Sequence, residues 1–254
     1  DAVISLNEDE EGRLWVGTWG GGLNILTDEE NGEFTRFNQW IKNDTYPIQY
    51  VFDVSFDENY IWIAAFDEGL YRYDKKAGKL RLFKYDENDP DGISSNQLLR
   101  VFRDSKDNLW VGSHSGLSVI QSKDKEEGKF KVYQPSDLDP NSIPSNSIRQ
   151  IFEDSNQNIW LATERGLARY ISEADNFETI NQKNGLPVNE ITSIVEDDDG
   201  YLWIGTIQGI VKFDPDNMVF TGFDKYDGLQ EVEFSRYSVL KTRKGELLFG
   251  GLNG

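Results

Sequence analysis

The apolar positions of this chain fall into short runs separated by polar intervals rich in Asp, Asn and Gly, and one run recurs. It reads Leu14-Trp15-Val16-Gly17-Thr18, Ile61-Trp62-Ile63-Ala64-Ala65, Leu109-Trp110-Val111-Gly112-Ser113, Ile159-Trp160-Leu161-Ala162-Thr163 and Leu202-Trp203-Ile204-Gly205-Thr206. A weaker sixth copy, Leu247-Leu248-Phe249-Gly250-Gly251, has Leu248 at the tryptophan position. Successive spacings at that position are 47, 48, 50, 43 and 45 residues. Each Trp follows an alternating or apolar run that ends in an acid: Ile4 to Asp9, Val51 to Asp57, Leu99 to Asp104, Ile148 to Asp154 and Ile191 to Asp197. Such a run entering a turn like Lys106-Asp107-Asn108 predicts a strand and a hairpin.

After each Trp run a short interval leads to Gly22-Leu23, Gly69-Leu70, Gly116-Leu117, Gly166-Leu167 or Gly209-Ile210, opening a third strand. A fourth follows in the Phe- and Tyr-rich stretches Phe34 to Phe37, Leu80 to Tyr85, Phe130 to Tyr133, Phe177 to Ile180 and Val219 to Phe223. Four short strands per period of this length, with no helical periodicity between them, predict an all-β fold of radially stacked, four-stranded antiparallel β-propeller blades. The boundaries are approximately 1–39, 49–85, 97–134, 147–181 and 190–224, with a partial blade over 233–254, all in one propeller segment. The Trp strands are apolar at consecutive positions, as expected of sheets covered on both faces, so all five tryptophans are expected to be buried. Gly or Ala two positions after each Trp leaves room for the next sheet. The partial blade lacks its outer strand pair, which must come from sequence beyond either end or stay unpaired.

Composition narrows the function classes. The 15 Phe, 11 Tyr and 7 Trp supply a core and the 23 Gly supply turns. A net charge of -19, from 26 Lys plus Arg against 45 Asp plus Glu, disfavours nucleic acid and anionic membrane surfaces as partners. No apolar run approaches the roughly 20 residues of a spanning helix, so no direct membrane contact is expected of this segment. The chain starts without Met and inside a patterned segment, so an upstream part is expected to have been removed. With no Cys, a disulfide framework or thiolate zinc site cannot be built.

The acid-ended strand, polar turn, Leu-Trp-Ile-Gly-Thr run and Gly-Leu pair, repeated five times, resemble the two-component regulator propeller repeat over nearly the whole chain. Asp227-Gly228-Leu229-Gln230, Glu233-Phe234 and Phe249 to Gly254 resemble the end of the last propeller in sensors of that family. The resemblance implies the periplasmic sensor region of an inner-membrane bacterial receptor, commonly a histidine kinase and usually a dimer, that senses an oligosaccharide. It also implies closure with seven blades, against the five and a half counted here.

Candidate chemistry lies where the repeat relaxes. The loops between second and third strands carry Trp19, Phe66-Asp67, His114-Ser115, Glu164-Arg165 and Ile207-Gln208. On one rim, Trp19, Phe66, Asp67, His114, Arg165 and Gln208 could stack on and hydrogen-bond a sugar, or they vary because such loops are solvated. In and beside the longer interval Asn38 to Gln49, Trp40, Tyr46 and Tyr50 stand out; Trp40 is either a sugar platform or a plug between two blades. His114 is the single histidine and no Gly-x-Ser-x-Gly elbow is present, so no catalytic residue, metal or cofactor is assigned. Asp197-Asp198-Asp199-Gly200 reads as a hairpin turn, without the ligand spacing of a calcium loop. A non-catalytic sensor of an oligosaccharide or other small ligand leads; a propeller lyase or glycosidase and a protein-binding scaffold are the alternatives.

Overall fold

The computed structural model describes residues 1–42, 48–229 and 234–251. Sheet 1 comprises β1 (Ala2–Glu8), β2 (Leu14–Trp19), β3 (Gly22–Asp28) and β4 (Glu33–Arg36), and sheet 2 comprises β5 (Val51–Phe56), β6 (Tyr60–Ala65), β7 (Gly69–Asp74) and β8 (Lys79–Phe83). Sheet 3 is β9 (Leu98–Arg103), β10 (Leu109–Ser113), β11 (Gly116–Ile120) and β12 (Lys131–Tyr133). Sheet 4 is β13 (Ile148–Glu153), β14 (Ile159–Thr163), β15 (Gly166–Ile171) and β16 (Asn176–Ile180). Sheet 5 is β17 (Ile191–Glu196), β18 (Leu202–Thr206), β19 (Gly209–Asp214) and β20 (Val219–Phe223). Sheet 6 holds β21 (Phe234–Lys241) and β22 (Leu247–Gly251) among the described residues. Consecutive strands are sheet neighbours and run antiparallel, which is the blade pattern read from the repeat. The chain forms two compact units, Asp1–Val132 and Tyr133–Gly254.

The acid at the end of each first strand does more than start a turn. One carboxylate oxygen of Asp9, Asp57, Asp104, Asp154 and Asp197 accepts the indole N–H of Trp15, Trp62, Trp110, Trp160 and Trp203 at 2.7–2.9 Å. The other oxygen accepts two backbone N–H groups of the turn at 2.7–3.0 Å: those of residues 11 and 13, 59 and 60, 106 and 108, 156 and 158, and 199 and 201. The carboxylate thus satisfies three donors that burial would otherwise strand. Burial pushes the carboxyls of Asp9 and Asp197 up, but the indole bond, the turn amides and a neighbouring Arg13 or Lys212 outweigh it and hold both below the usual carboxylate value.

Trp15, Trp62 and Trp160 each pack on the following sheet of their own unit. Within the first unit, Trp15 clusters with Val54, Ile63 and Tyr71 of sheet 2, and Trp62 with Leu98, Val111, Ile120 and Phe130 of sheet 3 and its connection. In the second unit, Trp160 meets Phe213 of β19 edge-on at 6.0 Å. Four of the five tryptophans are buried, as expected. Trp203 departs from that expectation: it is half-buried, because the outer strand pair that covers its counterparts is absent from sheet 6 among the described residues.

The small residue after each Trp has a second consequence. A Cβ on Gly17 would lie 2.9 Å from the Val51 carbonyl oxygen of sheet 2, so that position holds the sheets close. Opposite it the first strand bulges: Ile4, Phe52, Leu99, Arg149 and Thr192 are each skipped in the pairing register of their sheet. A bulge re-aims the extra side chain away from the two-residue alternation. Gly209 opens β19 at φ +139, where a Cβ would overlap the Phe223 carbonyl oxygen, so both backbone and space require glycine.

Trp160→Ala should destabilise the chain by about 3–5 kcal/mol, and Trp203→Ala by clearly less, in urea titrations. Asp197→Asn, which turns an amide N–H₂ toward existing donors, should cost about 1–3 kcal/mol at neutral pH. Because the folded carboxyl is depressed, its contribution is present above the unfolded value near 3.8 and is lost as pH falls through the folded value. The gap between Asp197→Asn and the parent chain should therefore narrow in melts taken below that pH.

Candidate functional site

The end of each Trp–Asp hairpin opposite the carboxylate is free to vary, and there the candidate residues lie. In the first unit three of them touch in a row. Trp19 is 45% exposed. Its ring centroid lies 5.8 Å from Phe66, and Phe66 meets His114 edge-on at 6.0 Å. Two further residues complete the shelf: Tyr50, conspicuous in the sequence and 4.8 Å from Trp19, and Phe52, not singled out there, stacked on Phe66 at 5.0 Å and 23°. Phe52 is the bulged residue of β5, and the bulge brings it to this rim.

Backbone bonds stitch the rim together. Gly20 and Gly22 donate to the Gln49 carbonyl at 3.0 Å, Phe66 to Tyr50 at 2.8 Å and His114 to Gln97 at 3.2 Å. Asp67, exposed and held at φ +62, accepts a 2.9 Å bond from the Gln97 side-chain amide. A carboxylate with one partner already fixed, beside an aromatic shelf, can still accept hydroxyl protons from a ligand lying on the rings.

The second unit offers different chemistry at the matching corners. Arg165 and Gln208 are exposed, and their backbone N–H groups donate at 3.1 Å to the hydroxyls of Thr163 and Thr206, which shape these turns. The bulged Arg149 is buried and reaches Glu164 at 2.9 Å, Glu190 at 2.7 Å and the Ile191 carbonyl at 3.1 Å. Arg149, Glu164 and Glu190 form an ionic counterpart of the aromatic shelf. A repeat-based reading passed over Arg149 because it stands inside a strand.

Trp40 lies on a one-turn helix, α1 (Phe37–Trp40), half-buried, 5.7 Å from Trp15 and 6.2 Å from Tyr73, with Arg13 over its ring. It fills the space between sheets 1 and 2. Tyr46 lies outside the described residues. Among the described residues no group of His, Cys, Asp and Glu is arranged to hold a metal ion.

A sequence profile of the two component regulator propeller family matches residues 1–20, 142–165 and 185–208. Those three segments match repeats of that family. None of the curated proteins matches the chain significantly in sequence. Among solved structures, the extracellular domain assigned to the hybrid two component system BT3049 from B. thetaiotaomicron is similar, at 22% identity and TM-score 0.75, over 98% of this chain and 32% of that one. PorZ, an essential bacterial surface component of the type-IX secretion system of Porphyromonas gingivalis, is similar at 19% identity and TM-score 0.73, over 100% of this chain and 38% of that one. Virginiamycin B lyase from Staphylococcus aureus is similar at 13% identity and TM-score 0.72, over 98% of this chain and 77% of that one. At these identities the likeness is one of fold. The chain spans about a third of the BT3049 domain. Among the described residues no helix is long and apolar enough to cross a membrane.

Arg149→Ala should destabilise the second unit by about 1–3 kcal/mol in urea, since it strips the charged partner from two carboxylates that can partly rehydrate. Arg165→Ala, on an exposed side chain at the same rim, should stay within about 0.5 kcal/mol.

Proposed function

We propose that this chain is a non-catalytic sensing module, the extracytoplasmic propeller of a bacterial membrane receptor, and that its ligand is a small polar molecule of the oligosaccharide class. The contiguous shelf of Trp19, Tyr50, Phe52, Phe66 and His114, with Asp67 and Gln97 beside it, carries this reading. Sugar rings present C–H faces to aromatic rings and hydroxyls to carboxylates and amides, and the shelf offers both. The two component regulator propeller repeats support the receptor setting. In such a receptor, occupancy of the rim would bias the relative arrangement of two copies and pass to an output domain such as a histidine kinase.

The test is a thermal-shift screen of neutral and acidic oligosaccharides followed by calorimetry on the hit. Trp19→Ala and Phe66→Ala should each weaken binding by roughly 2 kcal/mol, with the melting temperature lowered less by Trp19→Ala than by Phe66→Ala, whose ring is packed among three others. Affinity unchanged in both variants would move the site off this shelf. Product in the calorimeter cell by mass spectrometry would favour the lyase or glycosidase alternative. A screen in which only protein partners raise the melting temperature would favour a scaffold.

A further inference from the structure

Sheets 2 and 4 build the same corner of the repeat from different residues. In sheet 4 the bulged residue is Arg149, Glu164 follows the second strand, and Glu190 stands just ahead of the next sheet's first strand. Both carboxylates take the Arg149 guanidinium, at 2.9 and 2.7 Å, so this corner carries its own cation. At sheet 2 the same three positions hold Phe52, Phe66 and Gln97. Two stacked rings and an amide stand where the second unit has its ionic cluster.

The first-unit corner lacks that guanidinium, yet it still has acids. The turn after β6 is one residue longer than the turn after β14, since Ala65 pairs with Gly69 whereas Thr163 pairs with Gly166. It brings in Asp67 and Glu68, and their donors are neutral. The Gln97 amide reaches one oxygen of Asp67 at 2.9 Å, and the Gln49 backbone N–H and Tyr71 hydroxyl reach the two oxygens of Glu68 at 3.1 and 2.7 Å. Among the described residues neither carboxylate is paired with a Lys or Arg. Arg100, which donates to the Phe52 carbonyl at 3.1 Å, is buried and faces Asp53 at 3.8 Å, so its charge is already matched. Beside these two acids lie the rings of Trp19, Tyr50, Phe52 and Phe66, whose faces also attract positive charge.

We propose that the shelf selects a saccharide bearing a protonated amine, an amino sugar that is not acylated. Its ammonium lies against Asp67 and the adjoining Phe66 and Trp19 rings, and supplies from the ligand the cation that Arg149 supplies in sheet 4. This deepens the function proposed above and rests on it for the saccharide part. A neutral sugar would satisfy the rings and leave both carboxylates without a counter-charge. A uronate would add a third negative charge to the corner.

Calorimetry with a β-1,4-linked glucosamine tetramer, its fully N-acetylated form and a galacturonate tetramer tests this. The amine form should bind at least about tenfold more tightly than the N-acetylated form, an advantage that shrinks as salt is raised, and the galacturonate should bind most weakly. Asp67→Asn should erase that advantage while the N-acetylated form keeps its affinity within about twofold. Asp67→Gly, which places glycine at φ +62 as Gly20 stands at φ +100 in sheet 1, should do the same without straining the turn. An N-acetylated or galacturonate tetramer that binds as tightly as the amine would overturn the amine assignment and leave the saccharide reading standing. Asp67-dependent binding of benzyltrimethylammonium, with no affinity for any tetramer, would instead overturn the saccharide reading and uphold the cation site. If neither the tetramers nor that probe bind, both readings fall.

Discussion

The rest of this fold depends on a carboxylate that accepts an indole N–H with one oxygen and two turn amides with the other. A tryptophan can be buried at the centre of a stack of sheets only if its N–H is satisfied, and a two-stranded hairpin holds its length only if its turn is fixed. One aspartate meets both requirements at the same spot in each of five repeats. Asp104 and Asp154 are almost wholly enclosed, and both of their oxygens are taken up by donors of the hairpin.

That lock has a polarity along the hairpin. The turn end carries Asp and little freedom, whereas the far end, where the second strand passes to the third, needs only a hydroxyl and a glycine to make its bend. Blade 2 shows that even the hydroxyl can be given up, since Ala65 stands where Thr18, Ser113, Thr163 and Thr206 donate to a glycine carbonyl. Chemistry can therefore change at one end of each sheet without disturbing the lock at the other, and it does: aromatic rings in the first unit, a buried guanidinium and carboxylates in the second.

The strands, their order and the packing role of Gly17 were legible because they rest on composition repeated at a fixed period. The aspartates were legible as punctuation, but not as acceptors, since a run ending in an acid looks the same whether the carboxylate faces water or an indole. Trp19, Phe66 and His114 could be placed on one rim from their loop positions. Tyr50 stood out beside the longer connecting loop, but Phe52 did not: it belongs to strand-like sequence, and only a register skip turns it from the alternation into the shelf. The half-burial of Trp203 was illegible for a different reason, because its own repeat is complete and the change lies in what covers it.

The register skip recurs at Ile4, Phe52, Leu99, Arg149 and Thr192, always across from the glycine or alanine that lets two sheets approach. An apolar branched chain, an aromatic ring, a guanidinium and a hydroxyl all occupy that one slot, each fitted to its own surroundings: Arg149 is buried against two carboxylates, whereas Phe52 joins a row of rings. For protein engineering this marks one backbone position per sheet at which recognition chemistry can be changed, provided that the partners enclosing the side chain are changed with it.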